Sequence, residues 1–302
     1  MASPGTLARS VDALNSAGRN ASPPKRRIGV VHHVPFATSA DSMLGAKIEE
    51  AFLNTNHAKM YLAINSVAVD SCVVGKSNMY RRSDVDRVNG SRKPLPPTLV
   101  AQPGEEGERG LPAFGRFLAE DNMIASALWH ELGLRHDLSC DVAINAVGKM
   151  SLSGYVQRRV RWIRVRKHMV LAATLLEPFT ESVVVGVIAA SSLRYVLGIP
   201  ITLTLIVHFV WWYTVDLDVR ESLAGHPLPA GSYLSFFIAW AAREILALPI
   251  FLMAIFGDEV EWRGRKYRVT LNGEVRRTSN KRSWLPGRNS RDEEGYVPIA
   301  HS

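Results

Sequence analysis

The alternation of apolar and polar positions divides the chain into a mixed first part, a nearly uncharged middle and a basic end. Leu7, Val11 and Leu14 recur at helical spacing, which predicts a short amphipathic helix ended by Pro23-Pro24-Lys25-Arg26-Arg27. Ile28-Gly29-Val30-Val31 then reads as a short buried strand, followed by His32-His33-Val34-Pro35. Residues 43–53 form an amphipathic helix with Leu44, Ile48 and Phe52 on one face. Cys72-Val73-Val74 is a strand meeting a turn at Gly75. Residues 88–113, rich in Pro, Gly, Lys, Arg and Glu, have little to bury and read as a flexible insertion. Glu120-Asp121 open a helix whose Ile124, Ala127 and Leu128 face inward, and Leu134 to Val147 is a further strand.

Three apolar segments follow, 182–198, 199–215 and 233–256, each close to the ~20 residues that cross a bilayer core. Trp211-Trp212-Tyr213 sits where an interfacial aromatic belt belongs. An isolated Arg at mid-bilayer costs about 2.5 kcal/mol or more, so Arg194 is expected to snorkel and Arg243-Glu244 to face protein, water or headgroups. The expected organisation is a soluble portion (1–170), a membrane region (171–258) and a basic tail (259–302). Cations before the apolar block (Arg158 to Lys167) and after it (Arg263 to Arg282) both belong on the cytosolic side. Three crossings would separate them, so 233–256, with its internal charge pair, is expected to be re-entrant or interfacial.

Composition narrows this only a little. The net charge of +8 and pI near 9.7 would suit nucleic acid, but the cations flank the apolar block and line no aromatic-studded groove, so a membrane surface is the expected partner. Two cysteines, Cys72 and Cys140, make no disulfide framework and have no metal-ligand spacing, which points to a reducing, cytosol-facing compartment. Residues 1–27 hold no apolar core long enough for a signal peptide or anchor.

Gly75-Lys76-Ser77 has the end of a phosphate-binding loop, but Asp70 stands where that motif needs its first glycine, which excludes nucleoside triphosphate hydrolysis. A turn whose backbone amides approach a substrate and an ordinary strand-to-helix corner both remain open. The acids of Glu120-Asp121 are favoured at a helix N-terminus by the dipole alone; neighbours on a helix diverge, so only one can enter a given cleft. His32 and His33 read either as loop histidines bonded to backbone or as site residues. In Arg158-Arg159-Val160-Arg161-Trp162, Arg158 and Arg161 are three apart and Trp162 four from Arg158, an arrangement that suits a pyrophosphate. A collar touching anionic lipid is the alternative, because Arg164, Arg166 and Lys167 continue the charge.

Taken in order, His32 with Pro35, Val73-Val74-Gly75-Lys76-Ser77-Asn78, Glu120-Asp121, Arg158-x-x-Arg161-Trp162, the apolar segments and Trp262-Arg263-Gly264-Arg265-Lys266-Tyr267 resemble the ceramide glucosyltransferases, glycosyltransferase family 21, of fungal type. The resemblance runs from about Pro4 to Tyr267. It implies an α/β fold, the C-terminal part of a Rossmann-like glycosyltransferase-A type domain, followed by transmembrane or interfacial helices. It implies inverting transfer of glucose from UDP-glucose to the primary hydroxyl of ceramide, in a multi-pass protein of the Golgi membrane with its catalytic part facing the cytosol. Asp121 would be the general base, Arg158, Arg161 and Trp162 would hold diphosphate and acceptor, and His32 would line the acceptor site. The family's divalent cation, Mg or Mn, would be held by two earlier aspartate motifs that are not found here. The expectation is therefore a chain that starts downstream of those motifs, binds no UDP-glucose measurably and is inactive alone. The other reading is a non-catalytic lipid-binding or scaffold protein derived from the enzyme.

Overall fold

The computed structural model describes residues 3–16, 27–68, 70–91, 93–94, 108–262, 264–270 and 273–278. The expected turn at 23–26, most of the expected insertion and the tail beyond Thr278 lie outside the described residues.

The centre is strand β1 (Ile28–Thr38), buried from Gly29 to Ala37. It pairs antiparallel with β2 (Asn78–Tyr80) and parallel with β3 (Arg135–Ala146), giving a sheet of order β2-β1-β3. The sequence predicted a strand ending near Val31 and the structure extends it through His32-His33-Val34-Pro35. The extension is tolerated because β2 reaches only as far as His32, and the β3 register shifts between His32 and Val34, so Pro35 leaves no partner on the β2 side short of a hydrogen bond. Helices α1 (Thr6–Ser16), α2 (Leu44–Asn54), α3 (Asn56–Val67) and α5 (Glu120–His130) cover the sheet. In α1 the buried positions are Thr6, Ser10 and Leu14; Leu7 and Val11, expected to face inward, are exposed. In α2, Ile48 and Phe52 are buried as predicted and Leu44 is half-exposed.

Short helix α4 (Arg82–Val85) and the 3-10 turn Leu111–Phe114 bracket the expected insertion. Its described ends are not loose: Val88, Ala113 and Phe114 are buried with Met123 and Leu128, and the Gly110 amide donates to Val88 O at 2.9 Å. Apolar residues spaced singly among Pro and Gly carry no periodicity, so the pattern hides these anchors.

Helix α6 (Leu152–Met169), capped by Ser151, carries the arginine-rich stretch. The short α7 (Leu171–Leu176) and a 3-10 turn (Glu177–Thr180) lead into α8 (Ser182–Leu197), α9 (Ile201–Ala224) and α10 (Tyr233–Ile255). Residues 230–255 form the one described helix long and apolar enough to cross a membrane, and Leu171–Thr180 with Ser182–Leu197 form a pair bent by 61° that passes the same test jointly. The segment expected to be re-entrant or interfacial is a continuous helix, and the bend between apolar helices lies earlier, at Glu181. Helix α10 shares a core with α2 and α6, in which Ile48, Phe52, Tyr155, Ile163, Ile250 and Phe251 pack together. Arg243 and Glu244 face protein, as one of the expected alternatives had it: both are buried, Arg243 bonding Glu181 and Glu244. The start of the basic tail folds as an antiparallel sheet of β4 (Glu259–Trp262), β5 (Arg265–Val269) and β6 (Val275–Arg277).

Candidate active site

Asp121 lies in the first turn of α5 and is half-buried, whereas Glu120 beside it is exposed, so one acid of the pair turns inward. The inward acid rests on the turn after Val74. A Cβ on Gly75 would stand 2.6 Å from Asp121 Oδ2, so only glycine lets the turn and the carboxylate approach this closely. Burial pushes the Asp121 carboxyl above its ordinary range, while backbone amides of Asn122, Gly75 and Asp121 itself, and the charge of Lys76, pull it back. The turn that the sequence left open as a corner or an amide platform therefore backs a carboxylate.

His32 does not reach a surface. It is 0 % exposed, and its Nδ1 is 2.5 Å from the Tyr61 hydroxyl. Burial, with His136 and His33 nearby, lowers its pKa to about 3, so the ring is neutral. Tyr61, also buried, packs on Val74 and Cys72, and its hydroxyl takes a hydrogen bond from the Val74 backbone. His32 thus supports, through Tyr61, the segment that leads into the Asp121 turn; Cys72 to Val74, expected as a strand, is irregular and pairs with no neighbour in a sheet. His33 bonds Ser77 O at 3.0 Å, the backbone-bonded reading of that residue.

On α6 the arginines diverge. Arg158 donates from Nε to Glu49 Oε1 at 2.7 Å and lies over the Trp162 ring, 4.9 Å from its centroid. Arg161 is half-buried and makes no ion pair or side-chain hydrogen bond among the described residues. Burial and the neighbouring charge of Arg158 both lower its pKa. Lys76, at the tip of the Gly75 turn, likewise has no ion-pair partner among the described residues; burial and Arg158 lower its pKa, and Glu49 and Asp121 oppose them. Lys76 lies within electrostatic reach of both Asp121 and Arg158. Trp162 closes the wall: it meets Phe52 at 6.4 Å and His57 at 6.0 Å, and His57 stacks on Tyr61. The structure brings Asp121, Arg158, Arg161 and Trp162 around one region and holds His32 behind it.

Sequence reasoning passed over Glu49 and Tyr61, and met Lys76 only within the Gly75 turn and Arg159 only within the arginine stretch. Glu49 had a legible signal, since Gly45, Glu49 and Phe52 share the inward face of α2, where an unpaired acid does not belong. Arg159, expected to be one more charge of the stretch, is buried over the Phe52 ring at 3.6 Å and 3.6 Å from Glu177. Of the expected lipid collar, Arg166 is bonded to Glu177, Arg164 to the carbonyls of Glu259 and Met253, and Lys167 to Asp258 and to Ile255 O and Gly257 O. The collar is largely spent on tying α6 to α10 and the C-terminal sheet.

Among the described residues no group of three His, Cys, Asp or Glu side chains converges as a metal site. The acids near the open cations are Asp121, backed by amides, and Glu49, paired with Arg158. These residues do not fit a hard divalent cation, which needs several free carboxylate oxygens beside a diphosphate.

The chain belongs to glycosyl transferase family 21, whose family model matches residues 20–94 and 106–275. It is similar to the ceramide glucosyltransferase of Komagataella phaffii, at 36% identity over 317 residues, covering 89% of this chain and 62% of that protein. It is also similar to the ceramide glucosyltransferases of Candida albicans, at 35% identity covering 86% of this chain and 54% of that protein, and of Pyricularia oryzae, at 32% covering 88% and 61%. The chain therefore spans less than two thirds of the length of these relatives. No solved structure matches.

Proposed function

We propose that this chain supplies the acceptor and base side of a membrane-bound transferase that moves glucose from UDP-glucose to the primary hydroxyl of ceramide, giving β-linked glucosylceramide. The observation that carries the reading is Asp121 seated on Gly75 next to Lys76, which in turn neighbours Arg158. A carboxylate near cations, of which Lys76 and Arg161 have no ion-pair partner among the described residues, matches the two ends of a single displacement. The ceramide hydroxyl oxygen attacks the anomeric carbon, Asp121 takes the hydroxyl proton, and the bond from that carbon to the diphosphate breaks with its electron pair leaving on UDP. Attack opposite the leaving group inverts the anomeric centre. Arg158, Arg161 and Lys76 stabilise the charge that grows on the departing diphosphate. Trp162 and its aromatic neighbours give the acceptor an apolar wall beside the helix that passes the membrane test.

On this reading the soluble part belongs to a glycosyltransferase-A type domain, and the apolar helices set it on the cytosolic face of the Golgi membrane, where its lipid acceptor lies. The test is a lipid analysis of cells expressing the gene from its own genomic locus, fed isotopically labelled glucose. Labelled β-glucosylceramide that disappears on deletion of the gene is expected. Unchanged glucosylceramide in the deletion strain would overturn the reading. Separately, calorimetry on the chain alone checks the expectation of no measurable binding; micromolar UDP affinity would refute it.

A further inference from the structure

We infer that Glu49 is a positioning residue that builds an anion site from Arg158, Arg161 and Lys76, by fixing the Arg158 guanidinium from inside the fold. This rests on the reading above, in which those cations meet the donor diphosphate, and assigns the residue that aims them.

Four observations support it. Glu49 is 1 % exposed on α2, where a charge is costly unless a partner holds it, and its partner is Arg158, whose side chain is 25 % exposed. The bond is made by Nε alone, which leaves both terminal nitrogens of Arg158 without a hydrogen-bond partner among the described residues. A planar guanidinium held through Nε presents its two terminal groups as a pair, the geometry that grips two phosphate oxygens at once. Glu49 Oε2 is buried with no hydrogen-bond partner, so the cluster is one donor short as it stands.

The helix that carries Glu49 is itself fixed against the start of α6. The Ala46 amide donates to Met150 O at 3.1 Å, and Gly45 lies against the Ser151 carbonyl so closely that a Cβ there would collide with it. Helices α2 and α6 are thus locked together one turn from Glu49 on α2 and two turns from Arg158 on α6, which limits how far the guanidinium can wander. Charge counting agrees with an anion site. Arg158, Arg161 and Lys76 stand against Glu49 and the more distant Asp121, an excess of positive charge with no counter-ion from the protein.

The test is arginine footprinting of the whole chain in detergent, with phenylglyoxal as the reagent, mass spectrometry as the readout and millimolar inorganic pyrophosphate as the probe. In the wild type, pyrophosphate should slow modification of Arg158 and Arg161 and leave Arg164 unchanged, because Arg164 is already occupied by backbone carbonyls. Glu49→Leu should abolish the protection of Arg158, and Glu49→Gln, which keeps an oxygen for Nε, should retain it. Without probe, Glu49→Gln should also speed Arg158 modification about threefold, since a neutral amide oxygen holds Nε less tightly than a carboxylate and leaves the side chain freer to meet the reagent. That arm decides the matter should Glu49→Leu fail to fold. Undiminished protection of Arg158 in a folded Glu49→Leu protein, an unchanged Arg158 rate in Glu49→Gln, or no protection in the wild type would each overturn the inference. Failure of the proposed reaction shows elsewhere, as unchanged glucosylceramide in the deletion strain, and leaves the footprint intact.

Discussion

Two arginine clusters lie on neighbouring sides of α6, on either side of Trp162, and they are built differently. Towards the apolar helices, Arg159, Arg166 and Arg243 meet Glu177, Glu181 and Glu244, and both oxygens of every carboxylate are used. Glu177 takes Arg159 and Arg166, Glu181 takes Arg243 and Asn56, and Glu244 takes Arg243 and Ser182. The charges cancel, and a cavity of ≈ 20 Å³ among them has room for about one water. Towards the Gly75 turn, Arg158, Arg161 and Lys76 share a single buried carboxylate with one oxygen unused. The difference separates roles that the sequence runs together. A closed, neutral network is architecture: it pins the 61° break at Glu181 to α6 and α10. An open, cationic one is incomplete without a ligand.

The comparison can be broken by mutation. The largest effect should come from Asp121→Asn introduced at the gene's own locus, which removes the proposed base and should lower transfer about 10²–10⁴-fold with protein levels preserved, measured as glucosylceramide formed per unit protein in those cells. Arg243→Ala, in the closed cluster, leaves Glu181 and Glu244 buried without their cation. It should cost about 3–5 kcal/mol of stability, read as a large drop in melting temperature in detergent. The matching loss in the open cluster, Arg161→Ala, should leave the melting temperature nearly unchanged, because no protein partner is orphaned. Gly75→Ala should push the Asp121 carboxylate off its turn and lower turnover about 10²-fold while the fold survives. The smallest effect is on pH. Asp121 must be ionised to accept a proton and its pKa is raised by burial, so activity should be full at high pH and fall as pH drops through that raised value. The acid limb of kcat/KM should then lie above the ordinary Asp value of about 4. A limb at or below it would remove Asp121 from the role.

Much of the fold was legible because its signals are local. Helices α2 and α5, strand β3 and the apolar segments follow from periodicity and from acids at a helix start. What was not legible depends on contacts distant in sequence. Nothing near Pro35 says that β2 stops short of it and so permits β1 to run on. Nothing in the arginine stretch says that Arg159 turns inward over Phe52 while Arg158 goes to Glu49, 109 residues earlier. The helical spacing correctly put Arg158 and Trp162 on one face, since four residues return to the same side. It was silent on which of the remaining cations find carboxylates. His32 shows the same limit: its type and place left a backbone-bonded histidine and a site residue both open, and its neighbours from α3 and β3 bury it against Tyr61 and His136.

The most direct test of the central contrast is a footprint of all the arginines of the wild-type chain, with and without pyrophosphate. The account predicts protection confined to Arg158 and Arg161, with Arg159, Arg166 and Arg243 slow to react and unaffected by the probe. Protection at Arg159, Arg166 or Arg243, or none at Arg158 and Arg161, would contradict it.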